Sequence, residues 1–337
     1  MKNIPLISIA IASYNYAPYL SRAFDAIKNQ KFDDIEIVYC DDCSKDNSVE
    51  VIKKIIIDNP NMNIRLLQND INLGIQETKT KLIYACTGQY IMLCDADDWM
   101  AEDCLITLAE VVKRNYPDRV IAEVYDINQK GDIIQIQDIP ENASKWLWNL
   151  HHGCLYKRDI LISNQIEIKG KPDDVYLTTK INPFCSSVEW IRRPLYYWYV
   201  HVDSAGRKND TDIQKENIYI EFENTVQFID DTKVQQQELE YLELLILKMY
   251  FLTIYHVLRD FSLGDKWKIY KTLNQIIRKY HPNYWNNSLL RLQAKDAPLR
   301  KYSFRIIKFS VLMEKLHLMC PALLGYHILS KFIYFDQ

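Results

Sequence analysis

The sequence is poor in glycine, which supplies only 8 of its 337 residues. Loops that hold phosphate groups against backbone N–H groups need glycine at fixed spacing, as in G-x-G-x-x-G after a first strand. The segment that follows the first predicted strand reads Ala12-Ser13-Tyr14-Asn15 and contains no glycine. This argues against a dinucleotide-dependent oxidoreductase, and also against a nucleotidyltransferase with a glycine-rich basic loop at that place.

The chain also lacks an excess of one charge and a long apolar run. Its formal net charge is −3, so we expect no general attraction to nucleic acid. The uncharged stretch at residues 316–330 contains Pro321 and is shorter than the roughly 20 residues that span a bilayer. The 8 cysteines are scattered and no signal peptide is predicted, so we expect reduced thiols and a cytoplasmic protein.

Strand and helix patterns alternate four times in the first third of the chain. The strands are predicted at residues 6–12, 35–39, 64–67 and 90–94, and the helices at 16–29, 49–57, 73–86 (ending at Gly88) and 102–113. This alternation is typical of a mostly parallel sheet covered by helices on both faces. Ligands of such sheets bind beyond the carboxyl ends of the strands. Polar clusters lie there at residues 13–15, 41–44 and 95–98.

Beyond residue 115 the pattern is less regular. Strands are predicted at residues 120–127, 133–137 and 195–201, and short helices at 157–162 and 175–181. From about residue 210 onward the pattern is helical, with a strongly apolar segment and then a basic, apolar one. An α/β region followed by a helical region is therefore expected.

Three carboxylates lie within four residues in Asp95-Ala96-Asp97-Asp98, directly after a predicted strand. Adjacent carboxylates repel one another unless a cation or a strong donor neutralises them. Their hard oxygens suit Mg²⁺ or Mn²⁺ whose remaining ligands are phosphate oxygens and water. Helix capping would explain one of the three acids, so the cluster favours a metal and nucleotide site.

A second acidic pair, Asp41-Asp42, ends the second predicted strand. Carboxylates at this position can accept hydrogen bonds from a ribose hydroxyl or a base imide. Turn and capping chemistry explains the polar run at residues 44–48 fully, but it explains the acidic pair only in part.

Taken in order, these blocks resemble family-2 glycosyltransferases with the GT-A fold. The matching segments are SIAIASYN at 8–15, DDCSKDNS at 41–48, NDINLG at 69–74, TGQYI at 87–91 and DADD at 95–98. One block alone is a weak match, whereas the ordered set is specific as far as residue 113 and thinner to about residue 204. The resemblance implies a GT-A catalytic domain over residues 1–208 and a helical C-terminal region over 209–337.

Within that catalytic domain, the resemblance implies a nucleotide-sugar-binding half at residues 1–115 and an acceptor half at 116–208. Ala12, Tyr14 and Asp42 would hold the nucleoside, with Tyr14 stacking near the base and Asp42 accepting the base imide N–H. Asp95 would contact the ribose, with Ala96 beside it in the donor site.

The resemblance also implies a metal ion, Mn²⁺ or Mg²⁺, bound by Asp97 together with Asp98. Negative charge grows on the leaving diphosphate in the transition state, and a fixed cation stabilises it directly. His201 would approach the same metal, as the histidine of a later Tyr-Arg-x-His element does in the family. Trp198 and Tyr199 replace the usual Tyr and Arg here. The alternative for His201 is a packed or exposed histidine without a ligand.

Two further residues receive roles from the resemblance, each with an alternative. Lys79 stands where many relatives have Arg and would neutralise donor charge, while a solvated lysine on a helix surface explains it equally well. Asp174, next to Asp173, aligns with the base that accepts the proton of the acceptor hydroxyl in an inverting transfer. Its alternative is an N-cap of the following helix.

The neighbouring residues His151 and His152 lie where relatives shape the acceptor pocket. Adjacent side chains on an extended segment face opposite ways, so these two are expected to line a pocket or to be structural, without sharing a metal.

The sequence as a whole predicts a metal-dependent, inverting glycosyltransferase that uses a nucleotide-diphosphate donor. By the resemblance, a UDP-sugar is the first candidate for this donor. Its acceptor would be a glycan or lipid-linked chain in cell-surface polysaccharide synthesis. The alternative is a catalytically degenerate sugar-nucleotide-binding subunit of an assembly complex. The basic, apolar tail after Arg300 predicts contact with the anionic inner face of a membrane, or else packing on the catalytic domain. The oligomeric state is left open.

Overall fold

The structure is a computed structural model that describes residues 4–170, 172–201, 211–232, 234–257 and 261–329. The chain forms two compact units: residues 1–139 with 150–204, and residues 140–149 with 205–337. The domain border expected at residue 208 lies outside the described residues, as do Lys171 and Lys331.

The first unit is an α/β layer structure. Its strands are β1 (Ile7–Ser13), β2 (Ile35–Asp41), β3 (Ile64–Gln68), β4 (Tyr90–Asp95), β5 (Trp99–Met100), β6 (Arg119–Ile127), β7 (Ile133–Gln137), β8 (Cys154–Lys157) and β9 (Val188–Tyr199). Its helices are α1 (Ala17–Lys28), α2 (Ser48–Asp58), α3 (Ile75–Ala85), α4 (Cys104–Asn115), α5 (Arg158–Ser163) and α6 (Asp173–Ile181).

One sheet runs through this unit in the order β3-β2-β1-β4-β8-β6-β9-β5, with β7 paired to β6. The first four strands are parallel, β8 is antiparallel to both of its neighbours, and β6 and β9 are parallel again. The mostly parallel α/β sheet expected from the alternation of strands and helices is therefore present.

The central strands are apolar without interruption because helices cover both faces of the sheet. Every residue of β1 and β2 is buried, which explains why neither strand shows a polar face in the sequence. On α1 the buried residues are Leu20, Ala23, Phe24 and Ile27, a spacing that places them on one side of the helix. This packing fixes the ends of the strands, and with them the residues that follow.

The parallel strands are joined at their other end by a buried carboxylate. Glu36 of β2 accepts hydrogen bonds from Ser8 Oγ at 2.6 Å, Thr87 N at 2.5 Å and Arg65 at 2.8 Å. Burial raises the pKa of this carboxyl, but the hydrogen bonds from Ser8 and Thr87 outweigh it and lower the pKa. Gly88 N donates to Ser8 Oγ at 2.8 Å, so the start of β4 is fixed against β1.

Several predicted boundaries need correction. Helix α3 ends at Ala85 and not at Gly88, since Cys86 is already extended. Strands β5 and β8 were not predicted because runs of two and four residues are too short to show a periodicity. Strand β9 begins at Val188 and not at 195, because Arg192-Arg193-Pro194 interrupts the apolar pattern where its pairing with β6 shifts register.

The second unit is helical. Its helices are α7 (Thr211–Asp230), α8 (Gln236–Leu252), α9 (Leu263–Tyr280), α10 (Lys301–Lys315) and α11 (Met319–Leu329). Helix α8 contains a nearly continuous run of buried residues that includes Leu244, Leu245 and Leu247. Because this run goes around the helix, its sequence does not separate into one apolar and one polar face. Among the residues that the structure describes, none of the helices combines the length and the apolar character needed to cross a bilayer.

Candidate active site

The polar clusters at the carboxyl ends of β1, β2 and β4 lie at the same edge of the sheet. Ser13 is paired with Asp41 across β1 and β2, and Ala12 is paired with Asp95 across β1 and β4. Ala12 is buried, whereas the ring of Tyr14 is exposed at this edge. Side chains that are far apart in the sequence therefore border one site.

Asp42 organises the loop that leads into α3. Its carboxylate is buried and accepts hydrogen bonds from Leu73 N, Gly74 N and Asn69 Nδ2, each at 2.8 Å. Three bonds leave about one acceptor position of a carboxylate for a ligand. Gly74 has a φ of 86°, a conformation that glycine adopts without steric cost.

The loop after β2 is held in an unusual backbone conformation. Cys43 has a φ of 63°, and Asn15, in the loop after β1, has a φ of 59°. Both angles lie in the left-handed region. Asn15 Oδ1 accepts from Lys45 N at 2.7 Å, and Asn15 N donates to Ser44 Oγ at 2.9 Å. Cys43 thus occupies a conformation that a glycine would adopt more easily.

Two of the three expected metal ligands lie together. Asp97 Oδ2 is 2.7 Å from His201 Nε2, and both side chains are buried. The rings of Tyr19 and Tyr199 lie 5.1 and 5.0 Å from the imidazole of His201. Burial, and then the charge of Asp95, raise the pKa of Asp97. His201 is therefore packed against aromatic rings and also contacts the acidic cluster through Asp97.

The third expected ligand, Asp98, has different contacts. Its Oδ1 accepts a hydrogen bond from Tyr199 N at 2.8 Å, and its Oδ2 lies 3.5 Å from His152 Nε2. Burial and the charges of Asp97 and Asp95 raise its pKa well above the ordinary value. This carboxyl group consequently links the acidic turn to β9.

Arg22 of α1 holds the same turn from the other side. Its guanidinium donates to the Asp97 carbonyl at 2.8 Å and lies over the rings of Trp99, at 4.0 Å, and Tyr199, at 4.4 Å. Stacking on two aromatic rings keeps the planar group in one orientation. This role of Arg22 is not predictable from the sequence, because a lone Arg on a helix resembles any solvated cation.

Lys79 is buried among acidic groups, so the alternative interpretation as a solvated lysine on the helix surface is wrong. Its Nζ lies 2.8 Å from Asp173 Oδ2, 3.0 Å from Asp95 Oδ1 and 3.2 Å from His151 Nε2. Burial favours the neutral amine, but Asp173 and Asp95 outweigh it and raise the pKa of Lys79. The ammonium group therefore links a carboxylate of the nucleotide half to one of the acceptor half.

His151 and His152 face the same side, contrary to the expectation for an extended segment. Their rings stack with centroids 4.1 Å apart, and His152 Nε2 lies 3.2 Å from Asp95 Oδ2. They belong to a turn in which Cys154 N donates to the His151 carbonyl and Gly153 has a φ of 66°. A turn breaks the alternation that an extended chain would impose.

Asp174 lies in the first turn of α6, where its carboxylate contacts Nδ1 of His151. The N-cap of this helix is Pro172, so the capping alternative for Asp174 is wrong. Burial raises the pKa of Asp174, but the neighbouring His151 outweighs it and lowers the pKa to about 2. Burial likewise opposes the charged form of His151, while Asp174 raises the pKa of that ring to about 10.

Two groups of side chains could hold a metal ion by the closeness of their ligand atoms. Asp95, His151 and His152 form one, and His151, Asp173 and Asp174 form the other, with the atoms of each group within 4.8 Å of one another. Lys79 contacts members of both groups. A metal ion would have to displace this ammonium, whereas Asp97 and His201 have no such competitor among their described contacts.

Comparison with known proteins gives one family and one fold. The family model described as "Glycosyl transferase family 2" matches residues 8–196. Chondroitin synthase of Pasteurella multocida is 36% identical over 136 residues, which make up 39% of this chain and 13% of that synthase. The putative glycosyltransferase EpsH of Bacillus subtilis is 23% identical over 259 residues, 70% of this chain and 73% of EpsH.

A solved structure has the same arrangement of elements. The crystal structure of S. aureus TarS residues 1–349, in complex with UDP-GlcNAc, matches with a TM-score of 0.69 and 16% identity. The match covers 91% of this chain and 92% of that one. At this identity the likeness establishes the fold.

Proposed function

Since the chain belongs to glycosyl transferase family 2, we propose that it transfers a sugar from a nucleotide-diphosphate donor to a hydroxyl group of a glycan or lipid-linked acceptor. The family and the GT-A fold expected from the sequence are both confirmed, so the protein is a glycosyltransferase. The observation that carries the proposal is the meeting of Asp95, Asp97 and Asp174 with His201 and Lys79 at one edge of the sheet.

For the donor we propose a UDP-sugar. TarS, which has this fold, was crystallised with UDP-GlcNAc. The exposed ring of Tyr14 provides a face for a base, and the remaining acceptor position of Asp42 is available to a base imide N–H. Asp95 would accept from the ribose, with Ala96 next to it, and Lys79 would face the donor's negative charge.

We propose that Asp97 and His201 hold the metal ion. Asp97 Oδ2 and His201 Nε2 lie 2.7 Å apart, a hydrogen-bond distance, so a small separation of the two atoms would let both bind one metal ion. Mg²⁺ prefers oxygen ligands throughout, so an imidazole ligand favours Mn²⁺. A bound cation would neutralise charge on the departing diphosphate. Asp98, which is bonded to Tyr199 N, would orient the turn.

Asp174 is our candidate for the base that takes the acceptor proton in an inverting transfer. A carboxylate with a pKa of about 2 is a weak base, and it stays weak while His151 contacts it. His151 contacts Oδ1, so Oδ2 is the oxygen that would accept the proton of an acceptor hydroxyl, and it would do so more readily once His151 moves away from Oδ1. Lys79 holds the neighbouring Asp173, which leaves Asp174 as the member of the pair that can respond.

The first experiment is calorimetric binding of a panel of UDP- and GDP-sugars to the full chain, with and without Mn²⁺. We expect one UDP-sugar to bind in a Mn²⁺-dependent manner, and Asp97→Ala to weaken that binding at least about a hundredfold, because it removes a metal ligand. The exposed Asp25→Ala on α1 removes the same charge away from the site and serves as the control.

Two results would overturn this assignment. Equally tight donor binding without any divalent ion would remove the metal from the mechanism. A folded wild-type chain that binds no donor at all would favour the alternative, a degenerate subunit of an assembly complex.

A further inference from the structure

Positive charge is concentrated in the last described part of the chain. Residues 261–329 contain twelve Lys and Arg but only three Asp and Glu, although the whole chain has a net charge of −3. One of the three acids, Glu314, is buried and accepts from Tyr250 and Asn274. The second unit therefore has a surface whose charge differs in sign from that of the whole protein.

Helix α10 exposes a row of large apolar side chains along one side. Tyr302, Phe309, Leu312 and Leu316 are 57%, 52%, 49% and 53% exposed. Their spacing of seven, three and four residues places them on a single face of the helix. The opposite face, which includes Phe304, Ile307 and Val311, is buried in the unit. Four such residues in a row form a contiguous apolar surface of the kind that marks an interaction site.

Basic residues lie along this apolar row. Arg305 falls between Tyr302 and Phe309, while Lys308 and Lys315 follow one side of the row. Lys308 donates one hydrogen bond to the Leu292 carbonyl at 2.9 Å, which fixes its ammonium group next to the helix. An apolar face bordered by Lys and Arg is the pattern of a helix that lies in the interface of an anionic bilayer.

A cavity of about 210 Å³ opens directly beside this row. Its lining includes Arg291, Lys308 and Lys315 together with the ring of Trp285 and the side chain of Leu312. Among the lining residues that the structure describes, these three cations are the charged side chains, and no acid is present. The cavity therefore has the charge and the size for a phosphate group, and Leu312 joins it to the apolar row.

Two acids near the cavity accept hydrogen bonds from the loop that follows Trp285. Glu240 of α8 accepts from Ser288, and Glu243 accepts from Asn287, a residue of the cavity lining. Both carboxylates keep their negative charge, but neither belongs to the cavity lining, and the three cations of that lining outnumber them.

We propose that α10 docks on an anionic lipid bilayer, with its apolar row inserted at the interface and a lipid phosphate in the Arg291–Lys308–Lys315 cavity. An anionic glycan would satisfy the cations but would leave Phe309, Leu312 and Leu316 exposed to water. A bilayer covers both features at once, because it offers acyl chains directly below its phosphates.

This docking does not depend on which sugar is transferred, so it can be tested without any activity assay. Full-length protein is sedimented with vesicles of phosphatidylcholine alone and of phosphatidylcholine with 30% phosphatidylglycerol, an experimental composition on the order of a natural anionic leaflet. We expect binding to the anionic vesicles only, and we expect it to weaken as salt is added.

Two variants separate the charge from the apolar row. Arg291→Gln with Lys308→Gln and Lys315→Gln is expected to weaken binding by about a hundredfold, since each cation near the surface contributes about a factor of five. Phe309→Ser with Leu312→Ser is expected to abolish stable binding while keeping the fold, because both side chains are exposed.

Matched controls come from the same unit. Lys268→Gln with Lys271→Gln removes exposed cations of α9, and Ile220→Ser removes an exposed apolar residue of α7. Both are expected to bind vesicles as the wild type does.

The proposal is overturned if wild type binds neither vesicle, or if the control variants lose binding as much as the α10 variants do. It is also overturned if α10 is covered by a second copy of the chain. In that case ultracentrifugation would show a dimer that Phe309→Ser with Leu312→Ser dissociates.

Discussion

Lys79 is the residue whose position says most about the chemistry of the site. A lysine stands where similar proteins often have arginine, and its single ammonium group contacts Asp95, Asp173 and His151 at once. A point charge can serve three partners arranged around it, whereas the planar guanidinium of arginine favours paired contacts in one plane. The surroundings of this site are thus adapted to lysine.

Replacing Lys79 by Met should destabilise the first unit. Asp95 and Asp173 would lose their shared cation, and breaking a buried ion pair costs roughly 3–5 kcal/mol. Because both carboxylates are about a quarter exposed, we expect a smaller loss than this, about 2–3 kcal/mol, in chemical denaturation.

Lys81→Met is the matched control, since Lys81 lies on the same helix but is exposed. We expect it to change the free energy of unfolding by less than about 0.5 kcal/mol. Adding Asp173→Asn to Lys79→Met should restore part of the loss. Equal stability of the Lys79 and Lys81 variants would contradict the role of Lys79 as a buried counter-ion.

At the residue scale, the resemblance placed His201 near Asp97, but the contact of Asp174 with His151 was not predicted. Asp95 and Asp97 stand out because three carboxylates follow a buried strand within four residues, whereas Asp174 is singled out by the resemblance. The contacts of Asp174 with His151 and of Asp97 with His201 join residues that are 23 and 104 positions apart. Such pairings depend on the conformation of loops, and loops have no periodic signal in the sequence. For His151 the loop is the turn that contains Gly153.

Among the elements, β4 is fixed to β1 by the contact between Gly88 and Ser8. A Cβ atom added to Gly88 would lie 2.6 Å from Ser8 Oγ and 2.8 Å from Ser8 N. The second atom belongs to the backbone of a buried strand and cannot move aside. The requirement for glycine here is close packing, since the backbone of Gly88 is not in the left-handed region.

Gly88→Ala should therefore lower the free energy of unfolding by about 1–3 kcal/mol, the usual cost of overpacking. Thermal unfolding followed by circular dichroism measures the change. Gly264→Ala on α9 is the control, since its added Cβ would meet nothing closer than 3.8 Å and alanine favours a helix. A Gly88 variant as stable as the wild type would show that the strands can separate without cost.

The elements also show where prediction from sequence succeeds. The strands of the parallel half were found within one or two residues, because both of their faces are buried and their apolar runs are continuous. The antiparallel half was found less well. Strand β8 has four residues, and the first half of β9 contains Arg192-Arg193-Pro194 at a register shift. In that half, pairing decides the structure more than local preference does.

For the molecule as a whole, stability should respond to alkaline pH through Lys248 of the second unit. Its Nζ donates to the Leu147 carbonyl and to Asn149 Oδ1, both at 3.2 Å. Burial, and then the charge of Arg300, lower the pKa of this lysine to about 8. Between about pH 8 and its ordinary value the unfolded chain binds more protons than the folded one, so folding becomes more favourable as pH rises.

We expect Lys248→Met to remove this dependence. Relative to the variant, the wild type should gain on the order of 1–3 kcal/mol between pH 7.5 and 9.5. Denaturant unfolding at the two pH values gives the difference, in which the titration of other groups cancels. A wild type that loses stability relative to the variant over this range would show that Lys248 is charged in the folded protein.

The arrangement of the sheet has a consequence for how the chain acquires its site during synthesis. Strands β1 to β4 pair with neighbours that are close in sequence, so this half can form once about 100 residues have left the ribosome. The remaining strands close later, because β4 waits for β8, and β6 pairs with β9 some 70 residues further on. His201 follows β9. A nascent chain would thus carry a folded nucleotide-facing half before Asp174 and His201, the residues that we propose for proton transfer and metal binding, have joined it.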